Sequence, residues 1–456
     1  MKKVWLLIAV IAIVSCKNEA PIDYALVSGK ITNATTNEAT IYGLIDRDFR
    51  EKMTLSEDGS FKDTLKAGSY LFSQGKNRAP LYLSAGDNIT INFDAKNFKS
   101  SLTFSGKGSE INVYLGAKGA KEKELMGAGT GVYVKEEADY KKVVYEIKTA
   151  QEELLAAASG ISSAYKEKEN RNINYSYLEK LNKYKTYHAY YAKKKGFEPS
   201  KQFLSELETL KYDHEEDFNS FVSYKGLVTA HYMSKASELE KKEAIKGDMA
   251  MLKVGGAIEN ETIKNSLLYE AAKYGITYTN NLEAFYSAYM AGSTNKTNNE
   301  KITKSYNALK VLDKGNVSPK FVDYENNAGG TTSLDDLKGK YVYVDVWATW
   351  CGPCKAEIPF LKKVEKQYHG KNIHFLSLSI DKAKDHDKWK AMIKDKELGG
   401  IQLFADNDWN SKFVTDYLIK GIPRFILIDP TGNIVTANAP RPSNKKLIEL
   451  FDELKI

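Results

Sequence analysis

The chain has 456 residues, 42% hydrophobic and 27% charged, with three Cys and a formal charge of +7. Its composition excludes collagen-like, coiled-coil-only and wholly disordered chains, and three Cys exclude a disulfide framework. The charge is 66 Lys/Arg against 59 Asp/Glu, a mixed surface; residues 316–456 hold 21 basic and 19 acidic residues, a net +2, which disfavours nucleic-acid binding.

Lys2 and Lys3 precede Val4–Val14, an apolar run of 11 residues. A membrane-spanning helix needs about 20 apolar residues, so the run reads as an export signal rather than a span. The two lysines leave with such a signal, which lowers +7 to +5. The run ends Ile13-Val14-Ser15-Cys16, which resembles the lipobox of bacterial lipoproteins. That resemblance implies a signal over residues 1–16, lipidation of Cys16 and membrane attachment through the lipid anchor. An ordinary signal peptide with an incidental cysteine is the other reading.

Residues 22–105 read as β structure. Ile89, Ile91 and Phe93 alternate with Thr90 and Asn92, and Asp58-Gly59 and Ala85-Gly86-Asp87 are turn signals. A small antiparallel sandwich is expected. Val27–Ile31, Glu57–Phe61 and Ser84–Asp87 resemble an uncharacterised β domain at the front of many lipoproteins of Bacteroidetes type, which implies an architecture and no activity.

From 106 to 312 the period becomes helical. Tyr140, Val143, Val144, Ile147, Leu154, Leu155 and Ala158 recur at helical spacing, as do Tyr177, Leu181, Tyr184 and Tyr191. This tyrosine stripe, with Tyr187 and Tyr190, is expected to pack between helices; the alternative is the lining of a peptide or glycan groove. Gly292–Asn299 reads as a loop.

From 316 to 456 strand and helix alternate. Tyr341–Val346, Ile373–Ile380 and Arg424–Ile428 are strand-like, which argues an α/β layer around a central sheet. Val342, Val344 and Val346 face one side of their strand; Tyr341, Tyr343 and Asp345 face the other. A central parallel strand is covered on both faces, so Asp345 is expected to be buried with a raised pKa, suited to general-base work.

The chemistry lies in Trp350-Cys351-Gly352-Pro353-Cys354. Two thiols two residues apart at a helix start can form and reopen a small disulfide, and the helix dipole and free amides favour a thiolate. Cys351 is the expected nucleophile and Cys354 the resolving thiol. Pro353 suits the first helical turn, where no N–H is required. Half of a zinc site and a static disulfide are the competing readings. Cys16 is the only other cysteine, and the six His at 188, 214, 231, 369, 374 and 386 have no zinc-ligand spacing, so no metal and no cofactor are expected.

Val344–Lys355 as a whole resembles the active-site stretch of thioredoxins, and Gly421-Ile422-Pro423 resembles the segment that carries their cis-proline. The 68 residues between Cys354 and Pro423 exceed a minimal thioredoxin and leave room for an added strand and helix. This spacing, with Ser318–Phe321, Leu337–Lys340 and Cys354–Pro359, is similar to the TlpA/ResA-like branch of thiol-disulfide oxidoreductases. The resemblance implies a thioredoxin-like fold for 316–456, proton acceptance from Cys354 by Asp345, and a cis-Pro423 that leaves backbone groups beside the disulfide free for an extended substrate. It implies extracytoplasmic protein thiols and disulfides as partners, and a separate membrane electron donor. Gly352-Pro353 between the cysteines resembles the reducing members; an isomerase or oxidase, or a peptide- or glycan-binding lipoprotein with an auxiliary redox domain, are the alternatives. Trp347 and Trp350 are expected to pack around the site, and Glu357 to be a solvated helix residue. Ala348 stands where peroxiredoxins carry Thr, which argues against peroxidase activity.

Overall fold

The protein is described by a computed structural model over residues 22–456, apart from 246 and 280; the signal segment and Cys16 lie outside the described residues. The chain forms two compact units, one ending at Val228 and one running from Thr229 to Ile456. The division falls inside the helix Val222–Glu243.

In the first unit, eight strands run β1 Tyr24–Thr32, β2 Glu38–Gly43, β3 Arg50–Thr54, β4 Ser60–Lys66, β5 Gly68–Gln74, β6 Asn77–Leu83, β7 Asn88–Asp94 and β8 Thr103–Lys107. They make two four-stranded sheets, β4-β1-β7-β8 and β3-β2-β5-β6. Ala25, Val27, Ile41, Phe72, Leu81, Ile89 and Ile91 fill one core, the inward halves of period-2 patterns. The expected all-antiparallel arrangement is corrected at one place: β1 and β7 are parallel, Leu26–Thr32 against Asn88–Asp94. β1 is therefore flanked by antiparallel β4 on one edge and parallel β7 on the other. Gly59 turns between β3 and β4 with φ +83°, and a Cβ there would lie 2.2 Å from the Ile31 carbonyl oxygen.

The helices Ser109–Met126, Glu137–Ala157 and Ser163–Tyr191 follow. Tyr140, Tyr177 and Tyr184 are buried with Leu181, Phe203 and Leu227, so these stripe tyrosines pack between helices, whereas Tyr190 is exposed. Asn112 is fully buried and meets edge strand β6 as another strand would: its side chain accepts the Tyr82 N–H at 2.7 Å and donates to the Tyr82 carbonyl at 2.9 Å.

In the second unit, the helices Gly247–Gly256, Glu261–Gly275, Leu282–Gly292 and Lys296–Lys310 enclose Leu268, Ala272, Phe285, Tyr289 and Ile302. The loop expected over Gly292–Asn299 shrinks to 293–295. Asn295 caps the next helix, its side chain accepting the Asn298 N–H at 3.0 Å, and the polar residues that follow form that helix's first turn.

The remaining strands are β9 Tyr324–Asn326, β10 Thr331–Thr332, β11 Tyr341–Trp347, β12 Ile373–Ser379, β13 Ile401–Phe404, β14 Arg424–Ile428 and β15 Ile434–Thr436. They form one seven-stranded sheet in the order β10-β9-β13-β12-β11-β14-β15. β11 lies parallel to β12 and antiparallel to β14. Its valines, Val342, Val344 and Val346, enter one core with Trp389 and Phe413, and Tyr343 enters another with Leu361, Val364 and Phe451. The multidomain order is therefore a β-rich front, a helical middle and a C-terminal thioredoxin-like layer.

Asn112→Ala is expected to destabilise the first unit by about 1–3 kcal/mol, because it strands two polar groups of Tyr82 against a covering helix. Urea unfolding followed by tyrosine fluorescence checks this; no shift in midpoint would show that the edge is held by packing alone.

Candidate active site

β11 ends at Trp347, and the turn Ala348–Trp350 leads into the helix Gly352–Gln367. Asp381 shapes that turn. It is 1% exposed and accepts the Thr349 N–H, the Thr349 hydroxyl and the Ser379 hydroxyl, each at 2.8 Å. One carboxylate just past the end of β12 thus fixes the chain two residues before Cys351.

Cys351 is the N-cap of the helix and Pro353 sits in its first turn. Cys351 and Cys354 are joined as a disulfide with Cα atoms 5.3 Å apart, and both are buried. The Cys354 N–H donates to Cys351 Sγ at 3.1 Å. That amide and the positive end of the helix dipole would stabilise a thiolate on Cys351 once the bond opens. Gly352 is exposed beside the pair. Trp350 is 54% exposed, its ring 6.3 Å from that of Trp409, whereas Trp347 is buried; of the two tryptophans expected around the site, only Trp350 offers surface to a partner.

Behind Cys354 lies Asp345, in register with Ser377 of β12 and Phe425 of β14. The carboxyl is buried and its Oδ1 has no hydrogen-bond partner among the described residues. A void of about 10 Å³, bordered by Asp345, Cys354, Leu361, Glu365 and Gln402, adjoins it and is of the order of one water. Burial, then the nearby Glu357 and Glu365 carboxylates, push Asp345 up to about 8. Glu365, on the same void, is itself pushed up to about 7 by burial.

The peptide Ile422–Pro423 is cis, the isomer that the sequence resemblance implies. Pro423 leads directly into Arg424, the first residue of β14, which pairs with Val346 of β11. The sheet thus connects the expected residues Asp345, Cys351, Cys354 and Pro423 through the ends of two adjacent strands.

Other residues of the site were not expected. Glu357 is buried rather than solvated, and its carboxylate accepts the Ser443 N–H at 3.0 Å and the Ser443 hydroxyl at 2.9 Å. The correction follows from helical period: Glu357 is three residues after Cys354 and shares its inward face with Leu361 and Val364. The same spacing could have flagged Glu365, four residues after Leu361. Asp381 carried no such signal, because its partners lie across the sheet.

The raised Asp345 makes stability depend on pH with a definite sign. Unfolded, the carboxyl titrates near 3.8; folded, near 8. Between those values the unfolded chain gives up a proton that the folded chain keeps, so this group's contribution to stability is greatest below about pH 4 and falls as pH rises towards 8. Asp345→Asn should remove most of that slope and gain on the order of 3 kcal/mol over the wild type at pH 7. Glu365 leaves a smaller slope of the same sign. Urea unfolding of the oxidised chain at pH 5, 6, 7 and 8 measures it; parallel curves for the two proteins would contradict the assignment.

Residues 313–449 match the Redoxin family. ResA thiol-disulfide oxidoreductases are similar: the Bacillus subtilis protein is 28% identical over 136 residues, 28% of this chain and 72% of that one. The Bacillus cereus protein is 31% identical over 123 residues, 26% of this chain and 66% of that one. Among solved structures, the thioredoxin domain of a thiol-disulfide oxidoreductase from Bacteroides vulgatus is 30% identical, covering 31% of this chain and 98% of that one with a TM-score of 0.29. A candidate thiol-disulfide oxidoreductase from the same organism is 52% identical, covering 32% of this chain and 92% of that one with a TM-score of 0.28. The family match spans the disulfide-bearing end of the chain, and with these relatives it makes this protein a thiol-disulfide oxidoreductase with a TlpA/ResA-like thioredoxin-fold domain.

Proposed function

We propose that the protein is an exported reductase of disulfides in extracytoplasmic proteins, held to a membrane through lipid on Cys16. The observation that carries the reductive chemistry is a disulfide at a helix N-terminus, backed by a buried carboxyl whose Oδ1 has no hydrogen-bond partner among the described residues. In the reduced protein the Cys351 thiolate attacks one sulfur of the substrate disulfide. A mixed disulfide forms, and the other substrate sulfur leaves as a thiolate. Cys354 then gives its proton to Asp345 in its ionised form and attacks Cys351 Sγ, closing the Cys351–Cys354 bond and releasing the second substrate thiolate. Two electrons pass to the substrate, and the Cys351–Cys354 pair is oxidised.

Asp345 suits the middle step because its proton affinity approaches that of a thiol, so transfer between Cys354 and the carboxyl is nearly balanced. Pro423 brings no N–H of its own to the loop beside the disulfide, and its cis peptide carries Ile422 on the adjacent turn. The next cycle needs a two-electron thiol donor. A membrane protein that presents a dithiol outside the cytoplasm fits that requirement for a chain anchored at Cys16. Export is supported by Lys2-Lys3 followed by Val4–Val14, and among the described residues no helix is long and apolar enough to cross a membrane.

Cys354→Ser should accumulate mixed disulfides between Cys351 and extracytoplasmic proteins, visible as thiol-sensitive high-mass bands after acid trapping in the native host. Cys351→Ser should accumulate none. Equal absence of adducts in both variants would overturn the reading that proteins are the substrates.

A further inference from the structure

The cis-proline loop is held by residues that precede the redox domain in sequence. Arg424 follows Pro423 and is 3% exposed. A buried guanidinium is costly unless specific partners replace its water, and among the described residues no carboxylate does so. Its Nη1 donates to the Thr277 carbonyl at 2.5 Å and to the Ala437 carbonyl at 3.4 Å, and its Nη2 to Thr277 Oγ1 at 3.1 Å. The guanidinium carbon lies 4.0 Å from the centre of the Tyr278 ring, a close cation–π contact. Thr277 and Tyr278 lie between the helices Glu261–Gly275 and Leu282–Gly292.

Tyr278 has a second attachment. Its hydroxyl donates to the Gly421 carbonyl at 2.9 Å, while Asn438 Nδ2 donates to the Tyr278 carbonyl at 2.7 Å. A Cβ on Gly421 would come within 2.8 Å of the Tyr278 hydroxyl oxygen, so a glycine lets the ring lie flush on the loop. Lys420 Nζ donates to the Lys273 carbonyl at 3.2 Å. Lys420, Gly421 and Arg424 are therefore all anchored to residues 273–278, with half-buried Ile422 and buried Pro423 between the anchors. The Ile422 N–H and carbonyl enter no hydrogen bond among the described residues.

We propose that Tyr278 is a positioning residue for thiol-disulfide exchange: by holding the Gly421 carbonyl and stacking on Arg424, it fixes the free backbone edge at Ile422 against which a disulfide-bearing polypeptide lies. The proposal rests on the reading that the substrates are proteins, and it gives the middle helices a direct part in selecting them. Tyr278 makes no contact with the sulfurs, so its effect falls on polypeptide disulfides and spares small disulfides that have no backbone to pair.

The test uses the full chain, with insulin as the polypeptide disulfide and 2-hydroxyethyl disulfide as the small one. Tyr278→Phe keeps the ring over Arg424 and removes only the hydrogen bond to Gly421. The KM for insulin should rise about fivefold, the factor that corresponds to one ordinary hydrogen bond. Its kcat, the rate on 2-hydroxyethyl disulfide and the reduction potential of the Cys351–Cys354 pair should stay within twofold or unshifted. Tyr278→Ala removes the ring as well and should raise the KM further. An unchanged KM for insulin in Tyr278→Phe, or an equal slowing on both disulfides, would overturn the positioning role. A wild-type chain that reduces 2-hydroxyethyl disulfide and leaves insulin intact would instead overturn the protein-substrate reading, and the proposal with it.

Discussion

The redox end of the molecule depends on a single strand, β11, being enclosed on every side. It has β12 on one edge and β14 on the other, and a hydrophobic core against each face. Any polar side chain on such a strand must find a partner or stay neutral. Asp345 finds none for its Oδ1, and so the carboxyl holds its proton towards pH 8. The same strand, at its end, delivers the chain to Cys351. The burial that makes an ionised Asp345 unfavourable for stability is thus also what brings its proton affinity close to that of a thiol.

The residues around this strand divide by what they hold. Asp381 fixes the turn before Cys351 through three hydrogen bonds, and Glu357 ties the active-site helix to Ser443. Thr277 and Tyr278 hold the cis-proline loop through Arg424 and Gly421. The active-site helix and the cis-proline loop are therefore secured by different parts of the chain, one within the thioredoxin-like layer and one from the helices before it. These contacts tie residues 273–278, which precede the Redoxin match, to the redox domain inside one compact unit.

What could be read from the sequence was local. The two-residue spacing of Cys351 and Cys354, the proline in the first helical turn, and the alternation that buries Asp345 are each contained within a dozen residues. The period-2 pattern of Ile89, Ile91 and Phe93 likewise announces β7, but not its parallel partner β1, because register between distant strands leaves no trace in either one. The clasp on Arg424 joins residues 147 apart, and nothing in Ile422-Pro423-Arg424 names Thr277 as the partner. Glu357 was legible in principle, since helical period places it beside Cys354, but a charged residue early in an active-site helix reads first as solvated. The polar run Gly292–Asn299 was read by composition, whereas Asn295 uses its polarity to start a helix.

The central claim is that the Cys351–Cys354 pair works as a reductant, and the reduction potential of that pair tests it most directly. Equilibration of the full chain against defined ratios of reduced and oxidised dithiothreitol or glutathione, with acid trapping of the thiols, gives the value. A potential near that of thioredoxin, about −270 mV, is the predicted result; a potential near that of a strong oxidant, about −120 mV, would contradict it.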